Sequence, residues 1–481
     1  MAVEEPTFKT KVLRGFLWLG TGTFVGQFIS WISTIFVIRL LVPEDYGLMA
    51  MAGSFIALLT TFGELGLSAA LVQAENITER EIRQIYGFVI TSSLACWLIC
   101  HMAAPLVALF YHEPKVILPL RVLNLNFLLM ALYLIPQALF LREMNFKTKA
   151  KIDIAAQIVS ALSTLLLALL GMGVWALILG MIVMNAIKAV SYNNARSAWL
   201  KPILSFKGVG KFIRYGLTLT GSRMVYSGYM LSDTIIVGKF LGQYLLGIYA
   251  VALNLASIPV EKVLPLINQV TFTAYARIQN DLERVKRNFL MTTRTIAFAS
   301  FPIFFGMAGV AHEAIPLILG PKWGSIIIPF QLLCIILPLR AINPNLQNTL
   351  NALGEARATL VNAVITGFIL VVAFLIGVKY GILGVSVAWV IAYPLAFIIT
   401  TSYSLKILQI PLRNFWVEIK FPFLASFLMV SVIILLKTMM LTLPPRYSLV
   451  LLIALGIVCY LGTTFIFKKD EYRELKKLLQ R

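Results

Sequence analysis

The residues best suited to chemistry are polar and charged groups set into long apolar runs. Arg340, Gln347 and Asn351 stand seven and eleven residues apart, so they share one helical face, with Asn343 on its flank. A guanidinium there offers a planar fork of N–H donors that grips anionic oxygens in pairs. Pro338 and Pro344 interrupt the same run. A broken, polar-faced helix inside apolar surroundings is tolerated only where it faces protein or water. The stripe therefore reads as a cavity lining, with interhelical packing as the alternative. A second stripe holds Arg223, Ser227 and Thr234, with Asp233 beside it. Thr23, Gln27 and Thr34 repeat those positions 200 residues earlier, without the arginine. Asn254, Glu261 and Asn268 extend one set, and Thr60, Glu64 and Ser68 the other. Glu64, Asp233 and Glu261 could each pair with an arginine or bind a coupling ion, H+ or Na+, and their types leave those roles open. Arg39 and Lys239 occupy equivalent ends of two apolar runs, where snorkelling to headgroups competes with a role at an outer exit for an anionic substrate.

Enzymatic chemistry finds no support. Gly208-Val209-Gly210-Lys211 is too short for a phosphate-binding loop, and His312-Glu313 lacks the second histidine of a zinc-protease helix. Gly20-Thr21-Gly22-Thr23 lies within an apolar run rather than at a strand–helix turn. Cys96 and Cys100 share a helical face beside His101, but no acid or second histidine stands within a turn, so a metal is not expected. No catalytic residue and no cofactor is expected.

The elements that position these groups follow from composition. Of 481 residues, 59% are apolar and 13% charged, whereas soluble domains run at about 25% charged. About fourteen runs are long enough to span roughly 30 Å of hydrocarbon. The fold class is therefore all-α, a polytopic membrane protein. The net charge of +20 sits in short breaks between runs rather than on one soluble face, which argues against nucleic acid as a partner. Arg80 and Arg83, Lys147 to Lys151, Arg284 to Arg287 and the basic tail from Lys468 fall on one side, with little beyond Lys115, Lys322, Lys379 and Arg446 on the other. The positive-inside rule then puts both termini in the cytoplasm. The N-terminus leads into a run too long for a cleavable signal, so a retained helix is expected there.

The chain also repeats itself. Leu40 to Ala50 aligns with Phe240 to Ala250 at an offset of 200, with Gly47 matching Gly247. Leu118-Pro119-Leu120-Arg121 matches Ile328-Pro329-Phe330-Gln331, and Gln137 matches Gln347, at an offset of 210. The even number of runs between copies gives them the same orientation. The expected domains are two pseudo-symmetric six-helix lobes, 1–200 and 201–408, followed by 409–481, which carries two further helices and a basic cytoplasmic tail. Substrate sites in such duplicated carriers lie between repeats near the midplane.

Leu41 to Leu48, followed by Phe62 to Gln73, resembles the Wzx-type polysaccharide transporter family of the multidrug/oligosaccharidyl-lipid/polysaccharide exporter superfamily. Arg142 to Lys147, Asp233 to Gly242 and Ile258 to Val263 resemble its colanic-acid and teichuronic-acid exporter branch. The resemblance implies a flippase in a bacterial plasma membrane that moves an undecaprenyl-linked oligosaccharide by alternating access, surrounded by membrane lipids. Polysaccharide-assembly membrane proteins stand as further candidate partners. On that reading Arg223 and Arg340 would meet the lipid diphosphate. The basic cluster in the first spans of related lipid II flippases has no clear match here. The alternatives are a small-molecule antiporter of the multidrug branch, which typically has twelve spans, and a membrane enzyme such as a sugar polymerase, which should present a large outer loop.

Overall fold

Every regular element among the described residues is a helix, as long apolar runs in a bilayer require: each backbone N–H and C=O must be satisfied within its own segment. The computed structural model describes residues 30–64, 67–68, 71, 77–195, 200–205, 210, 224–278, 281–439 and 444–467. Gln27 and Arg223 lie outside these residues, as do the side chains of Glu64 and Glu261. Ten stretches among them are long and apolar enough to cross a membrane. Large apolar side chains such as Leu166, Phe368, Ile391 and Ile466 stand exposed along them, the surface that hydrocarbon rather than water would cover. The chain falls into two compact units, Met1–Gly247 and Ile248–Arg481.

The first unit contains α1 (Ser30–Leu40), α2 (Pro43–Glu64), α3 (Glu79–Tyr111), α4 (Ile117–Leu123), α5 (Leu125–Arg142), α6 (Phe146–Leu169) and α7 (Val174–Asn194). Local chemistry sets the ends. Thr78 and Glu81 close a capping box at the start of α3, and His112 ends that helix in the left-handed region at φ 56°. The Asn145 side chain accepts from Thr148 N to start α6. α6 and α7 pack closely where Ser160 Oγ donates to the Gly180 carbonyl at 2.8 Å.

The motif at Leu41 to Leu48 has a structural role. Pro43 opens α2 at a position where its missing N–H costs nothing. Asp45 accepts from Val42 N at 3.2 Å and from Val174 N at 2.9 Å, tying the start of α2 to the start of α7. The matching segment lies in α8 (Ser232–Arg277), which breaks at Gly242 with φ 78°. The two copies touch reciprocally: a Cβ on Gly47 would overlap the Gln243 carbonyl, and a Cβ on Gly247 would overlap the Pro43 carbonyl. Glycine is required at both positions because backbone meets backbone there.

The second unit holds the remainder of α8, then α9 (Leu282–Gly309), α10 (Ala311–Leu319), α11 (Ile327–Ala352), α12 (Ala356–Gly377), α13 (Gly381–Ile407), α14 (Leu412–Met439) and α15 (Pro445–Phe467). A 3₁₀ turn, Pro321–Ile326, leads into α11 with Trp323 fully buried. α11 packs against α9 and α13, and α12 against α13. The last two helices are fastened to this unit. Tyr460 OH donates to the Phe298 carbonyl at 3.0 Å, Lys437 pairs with Glu313 at 2.8 Å, and Arg294 approaches Glu418 at 3.8 Å.

Candidate functional site

Leu333, Cys334, Leu337, Ile342, Leu346 and Leu350 are buried along α11. Arg340, Asn343 and Gln347 form a half-buried polar stripe among them, and Asn351 is exposed at its end. The helix continues through Pro338 and Pro344, and Pro344 has no N–H to give to the Arg340 carbonyl. The guanidinium of Arg340 lies over the indole of Trp389, 4.8 Å from its centroid. Trp389 on α13 is fully buried and donates through Nε1 to Tyr249 OH at 2.8 Å. Phe374 and Tyr393 pack on the same indole at 5.0 and 5.7 Å. The aromatic face supplies a cation with a site that does not neutralise its charge. The arrangement therefore holds a guanidinium over a buried indole midway along α11.

The remaining polar positions divide. Asn351 Oδ1 accepts from Thr359 Oγ1 at 3.0 Å, a tie across the turn into α12. Asn345, on the opposite face, is fully buried and was not singled out by spacing. It accepts from Tyr275 OH at 2.9 Å and donates to Thr293 Oγ1 at 3.0 Å and the Phe289 carbonyl at 3.3 Å. Buried polar groups of this kind lock helices together and are costly when left unmet.

In the first unit Asp233 is fully buried, and its Oδ1 accepts from Thr234 N at 2.6 Å and from Thr234 Oγ1 at 3.2 Å. Lys239 is partly buried. Its Nζ lies 5.0 Å from the centroid of the Phe110 ring and 3.3 Å from His112 Nδ1. Arg39 is exposed at the end of α1. A further charged group escaped the reading of motifs: Asp153 pairs with Lys149 at 2.6 Å and lies 3.9 Å from Lys188, while Tyr192 OH donates to it at 3.0 Å. Lys188 within an apolar run was the available signal, since an intramembrane charge needs a partner.

Known proteins share this architecture. A family model described as "Polysaccharide biosynthesis protein" matches residues 36–328. The teichuronic acid biosynthesis protein TuaB of Bacillus subtilis (strain 168) is 26% identical over 427 residues, 87% of each chain. The lipopolysaccharide biosynthesis protein WzxC of Escherichia coli (strain K12) is 24% identical over 425 residues, 87% of this chain and 86% of its own. Among solved structures, the lipid II flippase MurJ in an inward closed conformation superposes with a TM-score of 0.77 at 16% identity, over 94% of this chain and 99% of its own. That likeness is one of fold.

Proposed function

Because this chain belongs to the polysaccharide biosynthesis protein family, we propose that it is a flippase. Its cargo is an oligosaccharide on undecaprenyl diphosphate, carried from the cytoplasmic to the outer leaflet of a bacterial plasma membrane by alternating access. The observation that carries this reading is Arg340, a cation set over Trp389 inside an apolar helix that runs on through two prolines. A diphosphate is the group such a guanidinium grips best, through paired N–H bonds. The names of the relatives, which concern teichuronic acid and lipopolysaccharide biosynthesis, support a polysaccharide context. The shared fold with a lipid II flippase supports a lipid-linked cargo.

On this reading the chain is a carrier rather than an enzyme, with about fourteen spans and both termini cytoplasmic. Asn343 and Gln347 line the path with Arg340, and Asn351 stands at its end. Arg223, Gln27, Glu64, Asp233 and Glu261 are further candidates by their positions in the sequence, and Arg39 and Lys239 flank the outer exit. An H+ or Na+ gradient, or the membrane potential, supplies the energy. Lys149 and Arg284 face the cytoplasm and Lys379 faces outward, as the distribution of basic residues supports. The deciding experiment is to delete the gene and extract the lipids. An undecaprenyl-linked oligosaccharide should accumulate on the cytoplasmic side and clear when the chain is restored. Normal surface polysaccharide with no accumulated glycolipid would refute the proposal.

A further inference from the structure

We propose that the first unit carries a neutral carbohydrate subsite of its own, in a cavity of about 410 Å³ walled by α2, α4, α5 and α7. The inference rests on the reading of the chain as a carrier of lipid-linked sugar. The volume falls within the span of roughly 300–1,000 Å³ usual for small-molecule pockets. Met49, Ile56, Met130 and Met181 supply apolar walls, while Asn126 and Asn185 present two buried amides. None of the described residues lining the cavity is ionisable.

The hydrogen-bond arithmetic favours hydroxyl groups. Asn185 Nδ2 donates to Asn126 Oδ1 at 2.7 Å, Asn126 Nδ2 donates to the Leu123 carbonyl at 2.8 Å, and Tyr133 OH donates to Asn185 Oδ1 at 3.0 Å. An amide side chain has two N–H donors and two acceptor positions. Each asparagine therefore keeps one donor and one acceptor position beyond these bonds. A sugar hydroxyl, which both donates and accepts, meets that pair. A charged drug would find no counter-charge among the lining residues, and a lipid tail would leave the amides unmatched at a desolvation cost.

The amides are also held from behind. The Tyr133 ring stacks on Tyr192 at 6.1 Å, and Tyr192 OH donates to Asp153, which is held by Lys149. A network anchored on a carboxylate fixes the donors before cargo arrives, which lowers the ordering cost of binding. The apolar walls suit the C–H faces of a pyranose, so both halves of sugar chemistry are provided for.

The test is protection of a cysteine introduced by Ala57→Cys, with Met181→Cys as a second reporter. Cys96, Cys100, Cys334 and Cys459 are replaced by alanine, and the full chain must still restore export. Labelling by a maleimide is followed with two probes: the glycolipid extracted from the deletion strain, and undecaprenyl diphosphate without sugar. The glycolipid should slow labelling roughly tenfold, the worth of one or two hydrogen bonds, and the sugar-free lipid should not. Asn126→Leu and Asn185→Leu keep the volume and remove the donors, so each should erase protection while labelling of the cargo-free protein stays as it was. Equal protection by both lipids, protection by neither, or protection retained in both leucine variants overturns the subsite and leaves the flippase reading intact. If the deletion strain yields no glycolipid, the flippase reading fails and the subsite falls with it.

Discussion

Helices α5 and α11 hold matching places in the internal repeat and put different chemistry there. At an offset of 210 residues, Met130 stands where Arg340 does, Tyr133 where Asn343 does, and Ile135 where Asn345 does, whereas Leu129 and Leu339, Ala131 and Ala341, and Gln137 and Gln347 are alike. In the first unit the accessible side of the helix meets a neutral cavity walled by amides and methionines. In the second it carries a guanidinium over an indole. The aligned segments share a proline at the matching entries, Pro119 and Pro329, and differ in charge.

The sharpest way to break this comparison is to make the second copy resemble the first. Arg340→Met should abolish export while leaving the amount of protein in the membrane unchanged, measured by surface polysaccharide and immunoblot together. Arg340→Lys should restore export only weakly, since an ammonium is a point charge and loses both the planar fork and the stacking on Trp389. Normal export from Arg340→Met would remove functional weight from the asymmetry. Loss of the protein itself would show that Arg340 holds helices together.

The next effect in size concerns what the copies share. Gly47→Ala and Gly247→Ala each force a Cβ into a backbone carbonyl of the other copy's motif. Each should cost about 3 kcal/mol, the upper end for overpacking, because a backbone cannot yield as a side chain can. The losses should be equal, read as midpoints of thermal unfolding in detergent. A loss at one position alone would break the pseudo-symmetry of the crossing.

A smaller effect is expected at Asn345, whose place in the first copy is taken by Ile135. Asn345→Leu leaves Tyr275 OH and Thr293 Oγ1 without their shared partner. It should lower stability by about 2 kcal/mol, within the range for stranding buried polar groups. A neutral or stabilising result would mean that the apolar solution of the first copy serves equally well in the second.

These residues also mark what could be read from the chain alone. The helical class, the apolar runs and the stripe from Arg340 to Asn351 follow from periodicity, because neighbours on one helix face are fixed by spacing. Contacts between helices leave no such trace. Tyr275 and Asn345 are 70 residues apart, Asn126 and Asn185 59, and Lys239 and His112 127. Asn351 reads as part of the stripe, yet it also bonds Thr359 across a turn that spacing does not describe. The motif around Asp45 could be recognised as a family signature, whereas its physical task depends on where α7 begins.

That task gives the smallest expected effect. Asp45 has Leu245 as its counterpart in the second copy, so the carboxylate belongs to one copy only. One oxygen accepts from Val42 N, satisfying an orphan donor at the start of α2, and the other accepts from Val174 N at the start of α7. Asp45→Ala removes both acceptors and should cost about 1 kcal/mol, the usual worth of a helix-start cap at a partly exposed site. Asp45→Asn keeps one carbonyl oxygen, which can serve one of the two N–H groups but not both. It should therefore lose part of the stability that alanine loses, with export unchanged in both variants. If asparagine is as damaging as alanine, the negative charge at the two helix starts matters more than the acceptor count. If export fails while the unfolding midpoint holds, Asp45 does more than fasten α2 to α7, and the first copy carries a functional charge after all.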